Sequence, residues 1–135
     1  MSDTKPLKER PLSPHLSVYK PIPTMVMSIV HRFTGVALYF GALLVAWWLY
    51  AAASGPQAFA TMEWFFGTLV GRLILFGYTF ALVHHLLGGL KHLVQDTGAA
   101  LDKALTTKMA IAHPLVSLGI TLLIWVAGYM VRGEL

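Results

Sequence analysis

Three long segments nearly free of charge constrain this chain more than any other feature. No Asp, Glu, Lys or Arg occurs from Phe33 to Met62, and none occurs across the 23 residues from Met109 to Val131. A further apolar stretch, about Trp64 to Val94, is interrupted only by Arg72, His84, His85, Lys91 and His92. About 20 apolar residues rising 1.5 Å each cross the hydrocarbon of a bilayer. The pattern therefore predicts three transmembrane helices, at about residues 28–53, 64–94 and 109–131, behind a polar arm over residues 1–27.

Composition agrees. Of 135 residues 56% are hydrophobic and 12% charged, and the mean hydropathy is +0.65, whereas a soluble domain carries about 25% charged residues. A soluble enzyme with its own deep core is excluded, and nucleic-acid binding becomes a poor explanation for the net charge of +4. The chain has no Cys. That removes a disulfide scaffold, an iron–sulfur cluster on this chain's thiolates and a covalent CxxCH haem.

The arm holds Pro6, Pro11, Pro14, Pro21 and Pro23, which remove amide donors and disfavour one continuous helix. It has no apolar core of the kind a secretory signal carries, and a short interfacial piece is expected around Leu16–Tyr19. Ser54-Gly55-Pro56-Gln57 is turn chemistry and separates the first two spans. Lys5, Lys8, Arg10 and Lys20 lie in the arm, and Lys91, Lys103 and Lys108 around the second connection. The first connection holds no basic residue, so the N-terminus is expected inside and the C-terminus outside.

Ionisable groups within a bilayer are costly and point to function. On this topology His15, His31, His84, His85, His92 and His113 all fall toward the inner side. Tyr78, His85, His92 and Asp96 share a narrow stripe of the second span at 100° per residue, with Gly88 and Gly89 beside it. Imidazoles flanked by glycines suit a flat cofactor, and a b-type haem needs neutral imidazole ligands in an apolar slot without covalent attachment. His85 lies about 10 Å deeper than His92 along the axis, which favours His85 as the axial ligand and His92 as an interfacial or propionate partner. Hydrogen-bonded packing is the plainer alternative for such histidines, and the five within the spans, all on one side of the membrane, weigh against it. In the first span Ser28, Arg32 and Gly35 share a face, with His31 about 60° from Ser28. A hydroxyl and a guanidinium there can donate to a quinone oxygen or a haem propionate, or Arg32 can snorkel to lipid phosphate. Snorkelling is the preferred account of Arg72. Gly67 and Gly71 form a small-xxx-small pair that signals close helix contact. Trp47, Trp48 and Trp125 are expected at the membrane interface or facing lipid.

These residues carry a family resemblance. Arg10-Pro11-Leu12-Ser13-Pro14-His15-Leu16 with Tyr19, Ser28-Ile29-Val30-His31-Arg32-Phe33-Thr34-Gly35, and His85-Leu86-Leu87-Gly88-Gly89-Leu90-Lys91-His92 with Asp96 resemble, in order, three signatures of the cytochrome b subunit of succinate dehydrogenase (respiratory complex II). The last two look like S-x-x-H-R-x-[ST]-G and H-x-x-x-G-[IL]-[RK]-H-x-x-x-D. The third span is similar only in being apolar and correctly placed. The arm resembles mitochondrial and alphaproteobacterial members, and with no transit-like segment before it a bacterial inner-membrane protein is expected.

The resemblance implies half of a heterodimeric helix bundle that anchors a flavoprotein and an iron–sulfur subunit. His85 would be one axial ligand of haem b, and the second small membrane subunit would supply the other. Ser28 and Arg32 would line the ubiquinone site, and His31, Arg32 and His92 would lie near the haem propionates. Asp96 matches a motif position without an assigned contact. His84 directly precedes His85, and the seven-residue spacing to His92 selects His85. Four alternatives stay open at this point. A quinol:fumarate reductase anchor runs the same chemistry backwards. A haem-free structural anchor, or a small subunit of a transporter, needs none of the histidines as ligands. A one-chain haem site would use His31 and His85. A two-haem cytochrome needs histidines on the outer side, where there are none.

Overall fold

The computed structural model describes Pro11, His15 and residues 19–133. The expected interfacial piece at Leu16–Tyr19 falls almost wholly outside those residues. The described chain forms four helices: α1 (Pro23–Ser54), α2 (Pro56–Gly67), α3 (Leu69–Asp96) and α4 (Lys103–Arg132). Three of them, α1, α3 and α4, are long and apolar enough to cross a membrane.

Local chemistry explains each boundary. Ile22 is extended ahead of Pro23, and Pro23 opens α1, where its missing N–H is not needed. Gly55 adopts φ 109°, a region that residues with a Cβ rarely enter, and Pro56 then starts α2 directly. Thr68 is extended between α2 and α3. Its hydroxyl accepts the Gly71 amide at 3.1 Å and donates to the Phe65 carbonyl at 2.6 Å, so one side chain ends one helix and caps the next. Asp102 caps α4 by accepting the Leu105 amide at 2.9 Å.

The second span differs from the sequence expectation. Instead of one helix opening near Trp64, residues 56–67 form the separate helix α2, and the long helix begins at Leu69. Twelve residues reach only about 18 Å, so α2 cannot cross. It folds against the last turns of α1 and the start of α3. The Trp47 ring lies 5.4 Å from that of Phe65 and 5.5 Å from that of Phe66. Trp125 likewise turns inward: its indole N–H donates to the Thr79 hydroxyl at 3.3 Å. Of the three tryptophans expected at the membrane interface or facing lipid, Trp48 is exposed and Trp47 and Trp125 are half-buried.

Small residues let the long helices approach, as membrane helices require when apolar burial gives no preference for protein over lipid. The buried face of α4 is Ala110, Ser117 and Thr121. Ser117 and Thr121 direct their hydroxyls to the carbonyls four residues back, both at 2.8 Å, which satisfies them without a partner helix. The opposite face of α1 stays open, with Phe33 70% and Tyr39 76% exposed. An apolar surface of that kind belongs against lipid or another membrane subunit.

The Gly67–Gly71 pair divides in the structure. A Cβ on Gly71 would sit 2.2 Å from the Phe65 carbonyl oxygen and 2.6 Å from Phe66 Cα, whereas one on Gly67 meets nothing within 4 Å. Gly71→Ala is expected to lower unfolding stability by about 1–3 kcal/mol through overpacking against backbone, and Gly67→Ala to change it little. Thermal or detergent unfolding of the purified protein measures both.

Candidate functional site

The helices α1 and α3 run antiparallel, and each supplies rings that sit on glycines of the other. A Cβ on Gly88 would lie 2.3 Å from His31 Cδ2, one on Gly35 3.0 Å from His85 Cε1, and one on Gly41 2.1 Å from Tyr78 Cε2. The residue numbers in the three pairs, 31 with 88, 35 with 85 and 41 with 78, add to 119 or 120, so one antiparallel register makes all three contacts. The stripe of Tyr78, His85 and His92 expected from helical periodicity therefore faces α1. Gly88 is not open for a cofactor as the sequence suggested, because the His31 ring occupies the space. A Cβ on Gly89 meets nothing within 4 Å.

The imidazoles of His31 and His85 stack with centroids 4.0 Å apart and planes within 11°. His85 Nδ1 is 3.1 Å from the His31 carbonyl oxygen. A carbonyl only accepts, so that nitrogen carries the proton and donates. The Thr34 hydroxyl donates to the same carbonyl at 2.8 Å, and its oxygen lies 3.3 Å from His85 Nδ1. In return, His31 Nε2 donates to the His85 carbonyl at 3.3 Å. These bonds assign the His85 tautomer: Nδ1 is protonated, and Nε2 keeps its lone pair in the ring plane.

His84 points the other way. It is completely buried between α3 and α4, with its ring 4.3 Å from that of His113 in an edge arrangement. Neither of its ring nitrogens has a hydrogen-bond partner among the described residues. His113 Nε2 donates to the His84 backbone carbonyl at 3.0 Å.

A small cleft of about 90 Å³ opens at this end of the bundle, with Ser28, His31, Lys91, His92 and His113 among its lining. The predicted residues thus separate into groups. Ser28, His31 and His92 share the cleft, and His92 makes an edge contact with His31 at 5.5 Å. His85 lies beneath, against Gly35. Arg32 is exposed and Asp96 is exposed at the last residue of α3. Arg32 stands on the open face of α1 outside the cleft lining. A roomier cavity, about 560 Å³, lies at the far end among Leu44, Trp48, Phe66, Arg72, Leu75 and Tyr129, with no histidine among its described lining residues.

A family model described as the succinate dehydrogenase/fumarate reductase transmembrane subunit matches residues 6–128. The chain belongs to that family. Among family relatives, the succinate dehydrogenase cytochrome b556 subunit of Paracoccus denitrificans is 47% identical over 93 residues, covering 69% of this chain and 72% of the relative. The cytochrome b556 subunit of Rickettsia felis is 32% identical over 118 residues, 87% of this chain and 92% of the relative. The mitochondrial cytochrome b560 subunit of Sus scrofa is 36% identical over 97 residues, 68% of this chain and 56% of the relative. As a family member with three membrane-long helices, the chain is a multi-pass membrane protein, as the sequence reading expected.

Sequence reasoning gave no role to Thr34 or His113. Thr34 stands at the [ST] position of the first-span motif, which is a signal for it. His113 had only its place among the histidines on the inner side. The glycine contacts separate structural from incidental glycines: Gly88→Ala is expected to displace the His31 ring and lower stability by about 1–3 kcal/mol, and Gly89→Ala to leave it near the wild-type value. A comparison of the two variants by thermal unfolding decides this.

Proposed function

We propose that this chain is the cytochrome b membrane anchor of a succinate:ubiquinone oxidoreductase, in which His85 provides one axial ligand of haem b. The state of the His85 ring carries this reading. An axial histidine needs one nitrogen with a free lone pair, and its other ring N–H is commonly held by a carbonyl or carboxylate that fixes its orientation. His85 meets both conditions: Nδ1–H is held by the His31 carbonyl, and Nε2 has no hydrogen bond among the described residues. The names of the relatives, cytochrome b556 and b560 subunits of succinate dehydrogenase, support the same assignment and favour succinate oxidation over fumarate reduction.

The second ligand comes from a companion membrane subunit. His31 is the nearest imidazole, but its ring is stacked parallel to that of His85. Lone pairs in two parallel stacked planes do not converge on one iron from opposite sides, which argues against a site within one chain. His31 and His92, lining the cleft above His85, are the groups to meet the propionates, and Lys91 adds a positive charge beside them. Bound haem supplies a one-electron carrier. The chain's own residues hold it and set its orientation.

Ser28 and Arg32 contribute to the ubiquinone site. Arg32 stands among exposed apolar residues, Ile29, Phe33 and Val36, on the face where partner subunits would close a dry pocket. There the Arg32 guanidinium, with the Ser28 hydroxyl at the adjoining cleft, donates to the quinone oxygens as negative charge develops. In a water-excluded site such donors are worth about 2–4 kcal/mol each. The iron–sulfur subunit docks at this end and passes on electrons from a flavoprotein that oxidises succinate, so donor and acceptor lie on the cytoplasmic side of a bacterial inner membrane. The arm, which carries four of the basic residues, also lies on that side.

Two measurements test the reading on the assembled complex. His85→Ala is expected to remove the b-type α band from the reduced-minus-oxidised difference spectrum. Ser28→Ala and Arg32→Leu are expected to slow ubiquinone reduction roughly 10²-fold, while electron transfer from succinate to a soluble dye continues. A full α band in the first variant, or normal quinone turnover in both others, removes the corresponding role.

A further inference from the structure

Three side chain–backbone hydrogen bonds cross between long helices among the described residues, and all of them converge on one short stretch. His85 Nδ1 donates to the His31 carbonyl, His31 Nε2 to the His85 carbonyl, and His113 Nε2 to the His84 carbonyl. The carbonyls of residues 84 and 85 belong to the two peptide groups that flank the α-carbon of His85. Both are therefore gripped by imidazoles from neighbouring helices, one from α4 and one from α1. A helical carbonyl already accepts one amide of its own helix, and its second lone pair is free for such a bond.

The grip from α4 is itself well supported. His113 is half-buried, and its ring meets the edge of the completely buried His84 ring. The carbonyl of His113 accepts the Ser117 hydroxyl at 2.8 Å, and Ser117 is wholly buried in the α3–α4 contact. Pro114 follows directly and fixes the backbone torsion there. His113 is thus held on both sides, with its Nε2–H directed at the peptide group leading into His85.

We propose that His113 is a positioning residue for His85: by bonding the His84 carbonyl it fixes the rotation and depth of α3, and so the direction of the His85 Nε2 lone pair. This rests on the assignment of His85 as a haem ligand made above. The His113 ring meets that of His84 and makes no ring contact with His85 among the described residues. Its effect is read in the ligand field and retention of the haem rather than in chemistry of its own. Groups supporting a metal ligand from outside commonly alter metal affinity 10–100-fold. An effect through the backbone belongs at the lower end, about tenfold.

The test uses the whole complex, co-expressed with its partner subunits, carrying His113→Leu, His113→Asn or His113→Gln. Haem per complex after detergent washing, the midpoint potential and the low-spin electron paramagnetic resonance signal are recorded for each. Leu lacks a donor, and Asn is too short to reach the His84 carbonyl. Both are expected to lose haem about tenfold faster and to show a shifted potential and altered g values. Gln places an amide N–H near the position of Nε2 and is expected to restore all three. Succinate-to-dye activity reports assembly, and if Leu fails to assemble, Asn and Gln carry the comparison. Wild-type spectra, potential and retention in both Leu and Asn overturn the proposal, as does a Gln variant as defective as Asn. If His113→Leu is silent while His85→Ala abolishes the α band, only this inference fails. If the wild-type complex holds no haem, the assignment of His85 fails as well.

Discussion

The contact on which the rest of the structure depends is the antiparallel fit of α1 against α3, with aromatic rings seated on bare backbone. Lipid tails are as apolar as leucine, so two membrane helices gain little from hiding apolar surface against each other. They gain from close approach and from hydrogen bonds that lipid cannot provide. Gly35, Gly41 and Gly88 allow the approach, and the paired bonds between His31 and His85 add direction. The same atoms that join the helices leave one imidazole nitrogen committed and one available. The bonds that join the two helices also fix which nitrogen of His85 donates.

The buried polar groups follow the same logic. Thr34, Ser117 and Thr121 satisfy their hydroxyls on carbonyls of their own helices, so they can line helix contacts without demanding partners. His84 is the exception, with two ring nitrogens that have no partner among the described residues, in a completely buried site. Its ring neighbours are Phe80, tilted at 34°, and His113, met edge-on, and its backbone carbonyl rather than its ring makes the polar contact with α4. In the tandem pair His84-His85, adjacent residues point to different helices because consecutive positions are 100° apart.

Much of this was legible in the sequence because the bilayer imposes a coarse rule on length and charge. The absence of charge over Phe33–Met62 and Met109–Val131 announces long apolar helices, and the 100° rule puts Tyr78, His85 and His92 on one face. Other features were hidden for physical reasons. The separate helix α2 lies inside an apolar run, and its end depends on the Thr68 hydroxyl capping Gly71, which composition does not reveal. Trp47 and Trp125 read as interfacial by residue type, but their partners, Phe65, Phe66 and Thr79, come from other helices. The glycines beside the histidines carry the clearest lesson. A missing side chain signals close approach, but not by what, and at Gly88 the visitor is His31.

The register that joins 31 to 88, 35 to 85 and 41 to 78 also says where the chain can change length. One residue inserted anywhere between Gly35 and Gly41, or between Tyr78 and His85, would turn everything beyond it by about 100° and advance it by about 1.5 Å, unseating at least one ring. Insertions in the arm before Pro23, or in the connection between Asp96 and Lys103, leave the three pairs untouched. Divergent copies of this subunit can therefore lengthen or shorten at those junctions, while the stretches 31–41 and 78–88 keep their counts.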